Sequence, residues 1–142
     1  MDTLHTRLLE TLHSHQLSTI RARIAVFDAL LHQEPQTMHE LVIKLSSQIN
    51  RASVYRVIDV YEKLGIVQRL QIGWKYKLEL TDQFHDHHHH ISCQSCGVVI
   101  VVNGDSHIEK DILELANKYN FILQSHLLEI RGLCQSCNKL VV

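Results

Sequence analysis

The chain has 142 residues, of which 45% are hydrophobic and 20% are charged, with one proline and a net charge of −1. This composition predicts one ordinary globular domain or two small ones and excludes a largely disordered chain. The N-terminal stretch carries acids early, and no later stretch approaches the roughly 18 apolar residues of a membrane span. We therefore expect a cytoplasmic protein with no signal peptide and no membrane partner.

Charge is distributed unevenly along the chain. Residues 19–82 hold nine Lys/Arg against seven Asp/Glu, whereas residues 83–142 hold four against six. A mildly basic first part and an acidic second part rich in His and Cys indicate two different tasks. We expect two domains, residues 1–82 and residues 83–142.

The first 35 residues predict two amphipathic helices. Leu4, Leu8 and Leu12 recur at helical spacing and indicate a helix within residues 1–18. Thr19 is the expected N-cap of the next helix, which ends before Pro35. Its predicted apolar face consists of Ile20, Ile24, Phe27 and Leu31.

Two further helices have clear capping signals. Thr37 and Glu40 match a capping box at the start of the third helix. Asn50 is the expected N-cap of the fourth helix, and Gly65 suits the C′ position after its last turn. The inner face of this fourth helix is predicted to consist of Val54, Ile58 and Tyr61.

A change of hydrophobic period after Gly65 predicts a two-stranded hairpin. The second arm, WKYKLEL, alternates inward residues with a cationic outer face. The inward residues are expected to be Trp74, Tyr76, Leu78 and Leu80, and the outward ones Lys75, Lys77 and Glu79. Helices followed by such a hairpin indicate a winged helix, whose last helix enters the DNA major groove.

Several side chains lie where a winged helix would contact DNA. Those at or beside the start of the fourth helix, expected to reach base edges or phosphates, are Arg51, Ser53, Tyr55 and Arg56. Those expected to add phosphate contacts are Arg21, Arg23 and the wing residue Lys75. The alternative is a protein-interaction module whose basic residues are simply solvated.

Two CxxC pairs, Cys93 with Cys96 and Cys134 with Cys137, indicate a metal site in the second domain. Four thiolates form a closed tetrahedral sphere for zinc, so we interpret the set as a structural zinc site. A strand over 98–102, a helix over 106–119 and a strand over 121–130 would place both pairs near the ends of neighbouring strands. A redox dithiol and four unrelated buried cysteines are the alternatives.

The segment HDHHHHISC, residues 85–93, precedes the first cysteine pair. In an extended chain successive side chains point to opposite sides, so His87 and His89 would face one way and His88 and His90 the other. The run could then supply two ligands to each of two metal sites, completed by Glu109 and His126 in one case and by Glu79 in the other. A solvated histidine loop or an expression tag is the alternative.

A second domain of this size has only a marginal core of its own. The apolar strands VVIVV and FILQSHLLEI look suited to pairing across a dimer. A homodimer also fits a DNA reader with two half-sites.

The motifs ASVYRVID, HHHHISCQSCG and HLLEIRGLCQSC resemble those of the ferric uptake regulator (Fur) family over roughly residues 19–138. The resemblance implies a homodimeric, metal-responsive regulator, usually a repressor, whose winged helix binds palindromic operators. It implies structural zinc at the four cysteines and DNA contacts from Tyr55 and Arg56. It matches one metal site to His87, His89, Glu109 and His126, and a regulatory site at the domain junction to Glu79, His88 and His90.

The chain departs from the family pattern at several positions. His89 replaces an aspartate, Val101 replaces an acid, and the spacer after Glu79 is two residues longer than in iron-sensing members. His32, Glu34 and His39 all lie near the place of a further histidine that has no clear counterpart. Together these changes favour nitrogen over oxygen ligands, which suits Zn(II) at least as well as Fe(II).

The expected fold is therefore α+β: an N-terminal winged helix-turn-helix DNA-binding domain followed by a small α/β dimerisation domain with a structural zinc site. The expected function is metal-dependent repression of metal-homeostasis genes by a homodimer on double-stranded palindromic DNA. A second Zn(II) is slightly favoured over Fe(II) as co-repressor. The alternatives are an iron- or peroxide-responsive regulator of the same family and a zinc-stabilised protein-interaction module. A zinc hydrolase or thiol oxidoreductase is disfavoured because four cysteines leave no open position on the metal.

Overall fold

The computed structural model describes residues 2–104 and 106–139, and the chain divides into two compact units, Met1–His85 and Asp86–Val142. The first unit runs through helices α1 (Thr3–Ser14), α2 (Arg21–Leu30), α3 (Met38–Lys44) and α4 (Arg51–Lys63), and then strands β1 (Val67–Ile72) and β2 (Lys75–Leu80). The second runs through β3 (His88–Cys93), β4 (Val99–Asn103), α5 (Ser106–Lys118), β5 (Glu129–Gly132) and α6 (Gln135–Asn138). In the described ranges no helix is long and apolar enough to cross a membrane.

The predicted inner faces of α1 and α4 are confirmed. Leu8 and Leu12 of α1 are fully buried, and so are Val54 and Tyr61 of α4, with Ile58 at 1% exposure. All five belong to one hydrophobic cluster that includes Phe27 of α2 and Phe84. The hydrophobic core therefore packs α1, α2 and α4 together, and the first turn of α4 lies at the surface above it.

The predicted start of α2 is one residue too early, and its predicted face is confirmed only in part. Phe27 is fully buried, and Ile24 and Leu31 are half-buried against the core. The N-cap of α2 is Ile20, which is 43% exposed, while the Thr19 hydroxyl lies 3.3 Å from Nε2 of His13 instead of capping the helix. The buried side chains of α2 cover a broad face, because α3 and α4 both contact this helix and His5 of α1 meets Phe27. They are Ala25, Val26, Phe27, Ala29 and Leu30.

The predicted caps of α3 and α4 are confirmed. Thr37 and Glu40 form a reciprocal capping box with both hydrogen bonds at 3.1 Å. The Asn50 side chain accepts a hydrogen bond of 2.9 Å from the backbone N–H of Ser53. At the other end of α4, Gly65 has φ +72°, and its N–H donates to the carbonyl of Glu62. That positive φ suits glycine, so the chain can turn back into β1.

The predicted hairpin is present, but its alternation is broken at both ends. Strands β1 and β2 pair antiparallel from Val67 with Leu80 to Ile72 with Lys75, which leaves Gly73 and Trp74 as the turn. Trp74 was expected to point inward and is 85% exposed, because it lies in the turn and not in the strand. Glu79 was expected on the outer face and is 4% exposed, and its carboxylate accepts a hydrogen bond from Gln68 at 2.7 Å.

The second unit is built on a three-stranded sheet in the order β4-β3-β5. Strand β3 pairs antiparallel with β4 and parallel with β5. The strand predicted over 121–130 is wrong for 121–128, where no strand forms, and β5 begins only at Glu129. Ile122 and Leu127 are 91% and 72% exposed, so these two apolar side chains of the segment are left uncovered in the single chain.

Candidate functional site

Strand β3 and the residue before it present histidines alternately to two sides. The rings of His87 and His89 meet edge to face at 4.7 Å, and so do the rings of His88 and His90. The Nε2 atoms of His88 and His90 are 3.0 Å apart. The expected alternation is therefore present, and the two pairs of imidazoles face different neighbouring side chains.

A histidine and carboxylate cluster forms on one side of β3. Glu109 comes from the first turn of α5, and His126 comes from the segment before β5. Nε2 of His89 lies 2.6 Å from one carboxylate oxygen of Glu109, and Nε2 of His126 lies 2.9 Å from the other. Each of the four side chains, including His87, offers one ligand atom, and these atoms all lie within 4.8 Å of one another.

Electrostatics favour a charged carboxylate at the centre of this cluster. The hydrogen bond from His89, aided by His126 and His87, holds the pKa of Glu109 below its ordinary value. Three imidazoles and one carboxylate form a ligand set suited to Zn(II) and to other first-row divalent ions that accept nitrogen. The cluster therefore has the chemistry of a metal site.

The four cysteines meet at one end of the sheet. Cys93 ends β3, Cys134 is the N-cap residue of α6, and the four Sγ atoms lie within 4.8 Å of one another. They are free thiols, and the Sγ atoms of Cys96 and Cys134 are 3.8 Å apart. Because β3 and β5 run parallel, both CxxC segments leave the sheet in the same direction, as expected from the sequence.

Backbone amides prepare this cluster for a cation. The Cys93 thiol accepts hydrogen bonds from the N–H groups of Cys96 and Cys134, at 3.5 and 3.4 Å. These bonds lower the pKa of Cys93 to about 6, and the thiolate is the form that binds metal. Four sulfur donors fit tetrahedral zinc and would leave no position for a substrate.

The residues expected at the junction fall in different units. Glu79 is buried at the end of β2 in the first unit, whereas His88 and His90 belong to β3 in the second. In β4, Val101 is the register partner of His90, so the position lacks the acid expected from the family pattern. His85, which sequence reasoning missed, offers a ligand atom within 4.8 Å of Glu79 in the first unit. The longer spacer after Glu79, which contains His85, was the signal in the sequence that could have indicated it.

The expected DNA-contacting residues lie on and around α4. Arg51 and Arg56 are exposed, Tyr55 is 40% exposed, and the Arg51 guanidinium lies 5.3 Å from the Tyr55 ring. A groove of about 450 Å³ between α2 and α4 is lined by Arg23, Ser53 and Arg56, among others. Arg21 is exposed at the start of α2, and Lys75 is exposed at the hairpin turn. This face offers cations and hydrogen-bond donors in the first turns of a helix.

Comparisons with known proteins agree on one family. The family model described as "Ferric uptake regulator family" matches residues 11–131. The ferric uptake regulation protein of Bordetella parapertussis is 35% identical over 111 residues, covering 78% of each chain.

Solved structures from the same family share the fold. The Helicobacter pylori ferric uptake regulator, described as having three functional metal binding sites, matches with a TM-score of 0.77 and 25% identity over 96% of this chain and 95% of that chain. The Vibrio cholerae regulator matches with a TM-score of 0.69 and 32% identity over 89% of this chain and 98% of that chain. Both agree with the expected mixed α and β fold. The chain belongs to the ferric uptake regulator family of metal-responsive, DNA-binding regulators.

Proposed function

We propose that the protein is a homodimeric repressor that binds palindromic DNA when its regulatory site holds Zn(II). The observation that carries the choice of metal is the set proposed as the regulatory site, Glu79, His88 and His90, in which two of three donors are imidazoles and Val101 stands where the family pattern has an acid. Nitrogen-rich sets bind zinc well, whereas oxygen-rich sets suit Mg(II), Ca(II) or Mn(II). Genes of metal homeostasis are the expected targets.

The four cysteines would hold a structural zinc ion. A closed tetrathiolate sphere would hold the ends of β3 and β5 together in a unit that buries little apolar surface. With the imidazole-rich cluster and the proposed junction set, the described part of the chain offers three candidate sets. The number equals the three functional metal binding sites described for the Helicobacter pylori protein.

The regulatory site is proposed to use Glu79, His88 and His90, with His85 available beside Glu79. A divalent ion bound there would be coordinated by several of these side chains at once. Glu79 is fixed by burial and by Gln68, and His88 and His90 are fixed by their strand. Sharing one ion would restrict the chain between the two units, which would favour the arrangement that fits DNA by an ordinary coupling of roughly 1–3 kcal/mol.

DNA binding is proposed to rest on α4 and its neighbours. Tyr55 and Arg56 would contact base edges in the major groove, with Arg51 and Ser53 beside them. Arg21, Arg23 and Lys75 would contact phosphates, because cations on neighbouring elements fix the register of a recognition helix without reading sequence.

The proposed partner in the dimer is a second copy of this chain, bound through the second unit. A groove of about 740 Å³ lies between α5 and residues 119–125, and Leu115, Tyr119, Phe121 and Ile122 line it with exposures of 59% to 91%. Apolar exposure on this scale marks an interface. A second copy would cover it and would also place two α4 helices on the two halves of a palindrome.

Metal counting combined with DNA titration tests the proposal. Zinc per chain is measured on the purified protein, and a duplex selected from a random-sequence library by the zinc-loaded protein is then titrated with added Zn(II) or, anaerobically, Fe(II). We expect about one tightly held zinc per chain, and DNA affinity raised at least tenfold by further Zn(II). His88→Ala should abolish that rise while the tightly held zinc stays.

The outcomes separate the alternatives. A rise with Fe(II) alone would identify an iron-responsive regulator, and loss of the response after peroxide treatment would identify a peroxide sensor. If no duplex is selected and the protein shows no salt-dependent binding to DNA, a protein-interaction module would be favoured. A protein purified without metal would overturn the interpretation of the four cysteines.

A further inference from the structure

The single tryptophan of the chain, Trp74, lies in the turn of the hairpin with 85% of its side chain exposed. It is the most exposed of the large hydrophobic side chains in the first unit, ahead of Ile43 at 59% and Tyr55 at 40%. Tryptophan has more apolar area to bury than any other side chain, and it is concentrated at binding surfaces. The hairpin therefore presents its largest apolar group to solvent at its outermost point.

The backbone of the turn that carries this indole is well defined. The pairing of Ile72 with Lys75 leaves a two-residue turn, and Gly73 has φ +59° at its first position, as in type II′ turns. The Gln71 side chain donates a hydrogen bond of 3.0 Å to the Gly73 carbonyl and braces the turn. Towards its base, the hairpin is tied to the core by reciprocal backbone bonds between Leu78 and Gln36.

The surroundings of Trp74 are cationic. Nζ of Lys75 lies 4.8 Å from the centroid of the indole ring. The one carboxylate within Val67–Leu80 is Glu79, which is buried at the other end of β2. The nearby Arg69 guanidinium is engaged by Glu62 in two hydrogen bonds of 2.7 Å. The positive charges on the strand that leaves the turn are therefore those of Lys75, next to Trp74, and Lys77, two residues further on.

We propose that Trp74 is a DNA contact, packing its indole against the sugar–phosphate backbone while Lys75 contacts a phosphate. DNA is a polyanion that also offers apolar sugar surfaces. An aromatic ring beside a lysine that has no acidic residue close to it in the sequence complements both features. A protein partner would more often meet a mixture of charges than two lysines without a neighbouring exposed acid. The inference rests on the proposed DNA binding, and its test separates the failure of one from the failure of the other.

The test uses the intrinsic emission of Trp74, which no second tryptophan obscures. Acrylamide quenching is measured on the zinc-loaded protein with and without the unlabelled selected duplex, and binding is followed separately by anisotropy of a labelled copy. We expect the quenching constant to fall at least threefold when the duplex is bound. Binding by anisotropy with an unchanged quenching constant would overturn the contact and leave the proposed function intact. A fully protected indole before DNA is added would assign the turn to a protein contact instead.

Two variants separate an aromatic contact from a charge contact. Trp74→Ala should weaken DNA binding by roughly five- to fiftyfold with the salt dependence unchanged, and Trp74→Phe should restore most of the affinity. Lys75→Ala should reduce the slope of log affinity against log salt by about one. Zinc content and the circular dichroism spectrum check that each variant folds. Equal affinities of Trp74→Ala and wild type would contradict the proposal.

Discussion

At the scale of single residues, Glu109 shows how one side chain organises a cluster. Its two oxygens lie 2.6 Å from His89 and 2.9 Å from His126, with His87 at 3.3 Å from the first oxygen. Alternation along an extended strand was enough to predict that His87 and His89 share a side. The approach of Glu109 and His126 depends on the path of α5 and of the loop after it, which local sequence does not determine.

The identity of residue 89 should set the metal preference of this cluster. Because His89→Asp exchanges a nitrogen donor for an oxygen donor, we expect zinc affinity to fall at least tenfold relative to affinity for Mn(II) or Fe(II). Competition with a chromogenic chelator measures both. The control is His107→Asp, an exposed position on α5 outside the cluster, which should change neither. An unchanged preference in His89→Asp would show that the cluster does not select the metal.

At the scale of elements, local capping signals predicted the ends of helices more reliably than hydrophobic patterns predicted how the elements pack together. The capping box at Thr37, the Asn50 cap and the turn at Gly65 involve atoms within a few residues, so the sequence alone determined them. The start of α2 and the segment 121–128 were mispredicted for a different reason. The Thr19 hydroxyl lies beside His13 from another helix and so does not cap α2, and residues 121–128 have no strand beside them in the part of the chain that the structure describes.

The hydrogen bond between Tyr61 and the Arg23 carbonyl joins α4 to α2 at 2.6 Å. Tyr61→Phe should lower the free energy of unfolding by about 1 kcal/mol, since a carbonyl loses its donor. DNA affinity should fall as well, because the bond positions α4. Urea denaturation at fixed zinc measures the first effect, and Tyr76→Phe, which keeps the ring beside the Arg69 guanidinium, is the control expected to change neither.

The phenol of Tyr61 should also make the free energy of unfolding depend on pH. Burial, opposed by the charge of Arg23, raises the pKa of Tyr61 above its ordinary value near 10. A raised folded pKa means that stability is complete below pH 10, where the unfolded phenol is neutral, and is lost as pH rises beyond it. The wild type should therefore lose about 1.4 kcal/mol per pH unit more than Tyr61→Phe above pH 10. Parallel curves for the two proteins would contradict the assignment.

At the scale of the whole molecule, the two units differ in how they are stabilised. The hydrophobic cluster lies entirely within the first unit. In the second, the side chains described as buried are those of His89, His90, Ser92 and Cys93, three of them proposed metal ligands. Composition and the small size of this unit predicted that a core alone would be marginal. The second unit should therefore depend on bound metal and on its partner copy.

Disrupting the exposed apolar segment should separate the dimer. Ile122→Glu places a charge on a side chain that is 91% exposed in the single chain and covered in the proposed dimer. We expect monomers in sedimentation velocity at micromolar concentration, together with a steep loss of affinity for the palindrome. Ile43→Glu, an exposed apolar position of the first unit, should remain dimeric. A dimer that survives Ile122→Glu would place the interface elsewhere.

The parallel pairing of β3 with β5 also bears on how the protein is made. Cys93 and Cys134 are 41 positions apart, so a ribosome that adds 5–20 residues each second releases the second CxxC pair roughly 2–8 s after the first. During that interval Cys93 and Cys96 exist as a nascent dithiol with half a coordination sphere. Oxidants and competing metals would react with the two thiols most readily during that interval. We therefore expect the supply of zinc to newly made chains to affect the yield of working regulator more strongly than it affects the lifetime of the finished protein.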